Sequence, residues 1–110
     1  MKLWIDDVRP APEGYIWIKS VRRAKWCVEK VDNWHKKAAD MGIDPRWNIE
    51  LIDIDHDAGE YAHDGGDYIK FLDWLEETGH NYPIRIHSMN AVGVQNMRAI
   101  IRRNGWKEIR

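Results

Sequence analysis

Three short apolar runs in this chain each stop at a polar cluster: Lys2–Ile5 at Asp6-Asp7, Ile49–Ile54 at Asp55-His56-Asp57, and Ile84–Ile86 at His87-Ser88-Met89-Asn90. Runs this short and this rich in branched residues suit strands and are too brief for helices. If they lie side by side as parallel strands, their polar ends converge at the carboxyl edge of one sheet. In an open α/β fold that edge is where ligands bind.

The remaining chain supplies the elements between them. After Lys2–Ile5, the stretch Arg9-Pro10-Ala11-Pro12-Glu13-Gly14 is a loop, because two prolines and a glycine break regular structure. Tyr15–Lys19 reads as a second strand, with aromatic and branched residues adjacent as in a strand buried on both faces. Ser20 is an N-cap for a helix over Val21–Asp40, with Val21, Ala24, Val28, Val31 and Trp34 or His35 on one face and Met41-Gly42 closing it. Trp47–Ile54 is the clearest strand and belongs at the sheet centre. Ala58–Gly66 is a polar loop with three glycines, of a make-up that can close over a ligand. Asp67 then caps a helix over Tyr68–Glu77 that turns Ile69, Leu72 and Leu75 inward. Pro83 opens the strand Ile84–Ile86. Asn90 precedes a helix over Val92–Arg103 carrying Val94, Met97, Ile100 and Ile101, Asn104-Gly105 stops it, and Trp106–Ile109 is a last strand. Five strands and three helices that alternate after the second strand predict one α/β domain over residues 1–110, a parallel sheet with helices on its faces.

Composition removes several function classes. With 17 basic against 18 acidic residues, the net charge of -1 gives no field to hold extended duplex nucleic acid. The local basic clusters, Lys19/Arg22/Arg23/Lys25 and Arg98/Arg102/Arg103/Lys107/Arg110, read as solvated helix faces or terminus. Cys27 is alone, so neither a disulfide framework nor a cysteine metal site exists; a small buried hydrophobe in a reducing cytoplasm fits it. No apolar stretch approaches the roughly 20 residues of a membrane span, and Met1-Lys2 leads into a strand without a signal sequence. A cytoplasmic protein without membrane contact is expected. The seven tryptophans are spread over every element, which predicts core or core-rim positions for most of them.

The strand-end residues carry the chemistry. Asp6, Asp7 and Asp55 are candidate ligands for Mg²⁺ or Mn²⁺, hard ions that take carboxylate oxygens. The plain alternative for Asp6 or Asp7 is to cap the turn into the Pro-rich loop. His56, flanked by Asp55 and Asp57, is placed for general acid–base work, as is His87. Ser88 and Asn90 add a hydroxyl and an amide, and Arg9 a planar bidentate donor for phosphoryl oxygens, unless it pairs with Asp6 or Asp7 instead. A cation, phosphate donors and a proton shuttle together suit phosphate-ester chemistry. Zn²⁺ on His56, His87 and Asp57 is the competing centre, but no close His-x-x-x-His pair supports it. His35, His63 and His80 read as surface residues, with His63 within reach of the site through the Gly-rich loop.

The order of the strand-end Asp6-Asp7, Asp55 and Ser88 is similar to that in receiver domains of bacterial response regulators. There an acidic pair helps hold Mg²⁺, the central Asp accepts a phosphoryl group and the hydroxyl contacts it. This chain lacks a helix between its first two strands, carries Leu-Asp-Ile-Asp-His-Asp around the acceptor, and has no match to the lysine of the last strand. The segments Leu3–Pro12, Ile54–Gly59 and Ile86–Gly93 resemble the cyclic-phosphate-processing receiver-like family over nearly the whole chain. The resemblance implies a flavodoxin-like three-layer sandwich with a five-stranded, mostly parallel sheet and the first helix shortened or absent. It also implies binding or hydrolysis of a cyclic phosphate, such as an RNA 2′,3′-cyclic end or a cyclic nucleotide. By that resemblance Asp6, Asp7 and Asp55 form the acidic pocket, His56 and Asp57 extend it, and His87, Ser88 and Asn90 face it. A phosphoacceptor switch at Asp55 and a non-catalytic binding module for a cyclic nucleotide or a protein are the rival readings.

Overall fold

A computed structural model describes residues Met1–Arg110. The strands are β1 (Lys2–Ile5), β2 (Tyr15–Ile18), β3 (Leu51–Ile54), β4 (Ile84–Ile86) and β5 (Glu108–Ile109); the helices are α1 (Val21–Met41), α2 (Ile69–Glu77) and α3 (Ala91–Asn104). All strands pair parallel in the order β2-β1-β3-β4-β5. This is the receiver-like, flavodoxin-like α/β arrangement, with β3 at the centre as expected.

The layering is thinner than the sandwich expected. The crossovers β2→β3, β3→β4 and β4→β5 all advance in one direction along the sheet, so right-handed connections place α1, α2 and α3 on the same face. In agreement, α1 touches α2, α2 touches α3, and one cluster joins Leu3, Ile5, Ile52, Ile54 and Ile84 to Val28, Leu72 and Ile101. The return from β1 to β2 is the connection that runs the other way, and it is a loop, Asp6–Gly14, with no helix. No helix therefore covers the second face, which presents Lys2, Trp4, Tyr15, Trp17 and Arg85.

That open face and the edge position account for one departure from expectation. β2 is an edge strand with Ile16 and Trp17 exposed, so it is not buried on both faces. Of the tryptophans Trp106 is in the core and Trp4, Trp34 and Trp74 are half-buried, whereas Trp17, Trp26 and Trp47 are exposed. β3 begins at Leu51 and not at Trp47, because its partner β1 starts at Lys2, opposite Leu51, and leaves the preceding residues little to pair with. On α1 the inward position after Val31 is Ala38, while Trp34 and His35 bond the carbonyls of Pro45 and Trp47 and hold that segment to the helix. Ser20 caps α1 as predicted, its hydroxyl accepting the Arg23 N–H at 3.1 Å. Asp67 does not cap α2; its carboxylate accepts the Ala58 N–H at 3.0 Å and draws the glycine-rich segment back to the end of β3. No helix of the protein is long and apolar enough to cross a membrane.

Candidate active site at the carboxyl edge

β1, β3 and β4 end side by side, and their next residues meet. Asp6 is fully buried and uses both oxygens. Oδ1 accepts the N–H groups of Val8 and Arg9, each at 2.9 Å, while Oδ2 faces Nε2 of His87 at 2.9 Å and Nε of Arg9 at 3.2 Å. The turn-capping role and the site role of Asp6 thus coexist, one on each oxygen. Burial disfavours its charge, but the backbone donors of Arg9 and Val8 and the His87 ring outweigh that and hold its carboxyl below the usual range.

His87 is fixed on three sides. Its Nδ1 lies 2.6 Å from Oδ1 of Asp53, its Nε2 faces Asp6, and its ring stacks on Trp4 at 3.8 Å with a 3° interplanar angle. Asp53 is fully buried in the middle of β3, and its Oδ2 has no hydrogen-bond partner; the nearest cation is Nη1 of Arg85 at 3.8 Å. Sequence reasoning passed over Asp53 and Trp4. The signal for Asp53 was present, since a carboxylate at a buried position of an apolar strand requires a partner. Trp4 left no signal, because its role follows from a stack across two strands.

Asp55 bonds the His56 N–H through Oδ1 at 2.8 Å and lies 3.5 Å from Nη2 of Arg9 through Oδ2. Arg9 therefore bridges the carboxylates of β1 and β3 and remains half exposed. Ligand atoms of Asp6, Asp55 and His87 all lie within 4.8 Å of one another, a set able to hold a cation. This combines one histidine of the zinc alternative with two of the three carboxylates expected. Asp7 stands beside the set, with its carboxylate against the Cα of Gly59. Burial, and after it the neighbouring charges of Asp6 and Asp55, push its carboxyl up. Gly59 has a φ of 54°, and a side chain there would strike the Asp7 oxygen.

His56 occupies the helix side of the edge. Its Nδ1 is 2.8 Å from Oδ1 of Asp57; a carboxylate only accepts, so Nδ1 donates in this pair. Asn90 caps α3 by accepting the Gly93 N–H at 2.9 Å, and its Nδ2 donates to the same Asp57 oxygen at 3.4 Å. Gly93 permits this packing: a Cβ built there would stand 2.5 Å from Cγ of His56. The Ser88 hydroxyl accepts the Asn90 N–H at 3.1 Å. Toward β2 the buried Tyr68 donates its hydroxyl to the Lys19 carbonyl at 2.8 Å. Burial and the three nearby carboxylates raise its phenol well above the ordinary value.

The other histidines lie apart. His63 bonds the Glu60 carbonyl within a 3₁₀ turn over Gly59–His63, and His80 bonds Asp32 at 2.7 Å. The segment expected to close over a ligand is pinned, at Ala58 by Asp67 and at Asp64, whose carbonyl takes the Arg22 N–H and whose carboxylate takes the Arg22 side chain.

Residues 1–103 match the family described as the cyclic-phosphate processing receiver domain. No curated protein and no solved structure matches the chain.

Proposed function

This chain belongs to the cyclic-phosphate processing receiver family, and on that premise we propose that its strand-edge site binds a cyclic phosphate ester and hydrolyses it. One observation carries the reading: an imidazole oriented through Nδ1 by Asp57 shares an edge with an arginine and a cluster able to hold a cation. In this reaction water adds to phosphorus, one ring P–O bond breaks, and the released alkoxide takes a proton to leave a phosphomonoester. His56 takes the proton from water at Nε2, while the Asp57 carboxylate stabilises the imidazolium that forms. Arg9, half exposed, turns its free N–H groups to the phosphoryl oxygens, and the Ser88 O–H adds a donor. Asn90 donates to the Asp57 oxygen that holds His56 and so helps position the base, and its second Nδ2 hydrogen adds a donor for the phosphate.

Asp6, Asp55 and His87 would hold the divalent cation, with Asp53 behind His87 fixing the ring so that Nε2 points into the cluster. The donor set fits such an ion, and Mn²⁺ tolerates the imidazole better than Mg²⁺ does. Bound there, it supplies charge neutralisation at the phosphoryl group. The ligand in this reading is a small cyclic phosphate or an RNA end, and a reducing cytoplasm suits the lone, part-buried Cys27.

The test is ³¹P NMR of the purified protein with a nucleoside 2′,3′-cyclic phosphate, in EDTA and with Mn²⁺ or Mg²⁺. Phosphomonoester should accumulate, and His56→Ala should lower the rate by about 10²–10⁴-fold. No product with any ion rejects hydrolysis; a ligand-dependent rise in melting temperature would then leave a binding module. A stable adduct on Asp55 after exposure to an acyl phosphate would put the phosphoacceptor switch in its place.

A further inference from the structure

Beside the acid cluster, at the carboxyl end of β2, lies a pocket of about 360 Å³ lined by Trp17, Lys19, Ser20, Arg23, Tyr61 and Asp64. It takes in two residues of the first basic cluster, Lys19 and Arg23, and an exposed tryptophan that the core does not use. The Lys19 ammonium sits 4.3 Å from the Trp17 ring centre and 5.9 Å from that of Tyr61, so the two rings face a common space now entered by a flexible side chain. Arg23 is steadied over Trp26 at 5.1 Å and also borders an adjoining groove made by Ile16, Trp17 and Trp26. Both walls reach the acid cluster. The Trp17 indole donates to the Asp6 carbonyl at 2.8 Å, and Tyr61 belongs to the 3₁₀ turn whose Gly59 abuts Asp7.

We propose that this pocket is a nucleobase subsite, so that the ligand of the strand-edge site is a nucleotide and not a cyclic phosphate of a simple polyol. The proposal rests on the cyclic-phosphate reading of that edge and specifies what is attached to the phosphate. Two aromatic faces stack a base whatever its identity. The Lys19 and Arg23 charges repel a cationic guest of an aromatic cage and attract a phosphate carried on the same molecule as the base. Lys19 leaves the space between the rings by rotating its four-carbon stem, and its ammonium then meets a phosphate oxygen. The Asp64 carboxylate, held by Arg22, offers an acceptor to an exocyclic amino group.

Titration calorimetry of the full chain with adenosine 5′-monophosphate and with ribose 5-phosphate tests the subsite without any hydrolysis. The nucleotide should bind at least tenfold more tightly. Trp17→Leu and Tyr61→Leu, checked for folding by circular dichroism, should each remove most of that preference. Trp17→Phe, which keeps a ring but loses the N–H bond to Asp6, should retain it. Equal affinity for the two ligands, or Leu variants that bind like the parent, would overturn the proposal. Turnover separates it from the function beneath it. Equal rates on a nucleoside 2′,3′-cyclic phosphate and on glycerol 1,2-cyclic phosphate would keep hydrolysis and reject the subsite. A nucleotide preference in calorimetry with no hydrolysis of either ester would keep the subsite and reject the enzyme.

Discussion

At the scale of single residues, the site is crowded enough that small changes have readable effects. Gly93 lies under the His56 ring, and the first atom of any side chain would overlap it. Gly93→Ala should therefore displace the imidazole from Asp57, lowering turnover at least tenfold for a stability loss of about 1–3 kcal/mol. Steady-state rates beside thermal melts check the split, and a loss confined to stability would show that His56 is not the base. Asp7 allows a prediction of opposite sign. Its carboxyl is pushed up, mainly by burial with Asp6 and Asp55 adding repulsion, so its charge works against the folded state. That penalty is absent well below its unfolded value of about 3.8, grows as pH rises past it, and is constant above the folded value. Asp7→Asn should raise the melting temperature at pH 7 in EDTA, and the gain should vanish toward pH 3. Asp6 runs the other way: its lowered carboxyl adds stability above the unfolded value that is lost as pH falls through the folded one.

Elements were more legible than contacts. The polar stops after β1, β3 and β4 located the edge, because strand ends and glycine stops are written locally; Gly42 and Gly105 do close α1 and α3 in the left-handed conformation. Boundaries that depend on a partner were not written locally, as Trp47–Glu50 shows by its apolar content and its lack of a ladder. The same distinction holds in the site. Asp6, Asp55, His56 and His87 announced themselves as strand-end polar residues, whereas the Trp4 stack and the Gly93 contact exist only after β1, β4 and α3 have been brought together. Among the helices, α1 is 21 residues long, roughly 30 Å, and serves four-residue strands, so its C-terminal turns run past the sheet with Ala38 as their only buried residue. Amide hydrogen exchange should be fastest in α1 over residues 35–41 and slowest over 21–31, where Val21, Ala24, Val28 and Val31 are buried. Uniform protection would contradict this. At the other end, Ser20→Ala should cost about 1 kcal/mol in denaturant melts, the usual worth of an N-cap hydroxyl.

For the whole molecule, the nine-residue return from β1 to β2 has the largest effect, because it sets how many layers the domain has. About 30 Å of extended chain is ample to re-enter a parallel strand, yet the loop brings no helix with it, and one side of the sheet meets solvent directly. The consequence is colloidal. Trp4, Tyr15 and Trp17 form an aromatic strip on that side, and the charges standing beside it are Lys2, whose ammonium lies over the Tyr15 ring at 5.6 Å, Lys19 over the Trp17 ring at 4.3 Å, and Arg85 across the sheet. Such cations keep bare sheet surfaces from adhering to copies of themselves. In this chain three cations, Lys2, Lys19 and Arg85, stand where a covering helix would have packed. Replacing Lys2 and Lys19 with valine, and keeping Arg85 beside the buried Asp53, should make light scattering rise more steeply with concentration than it does for the parent.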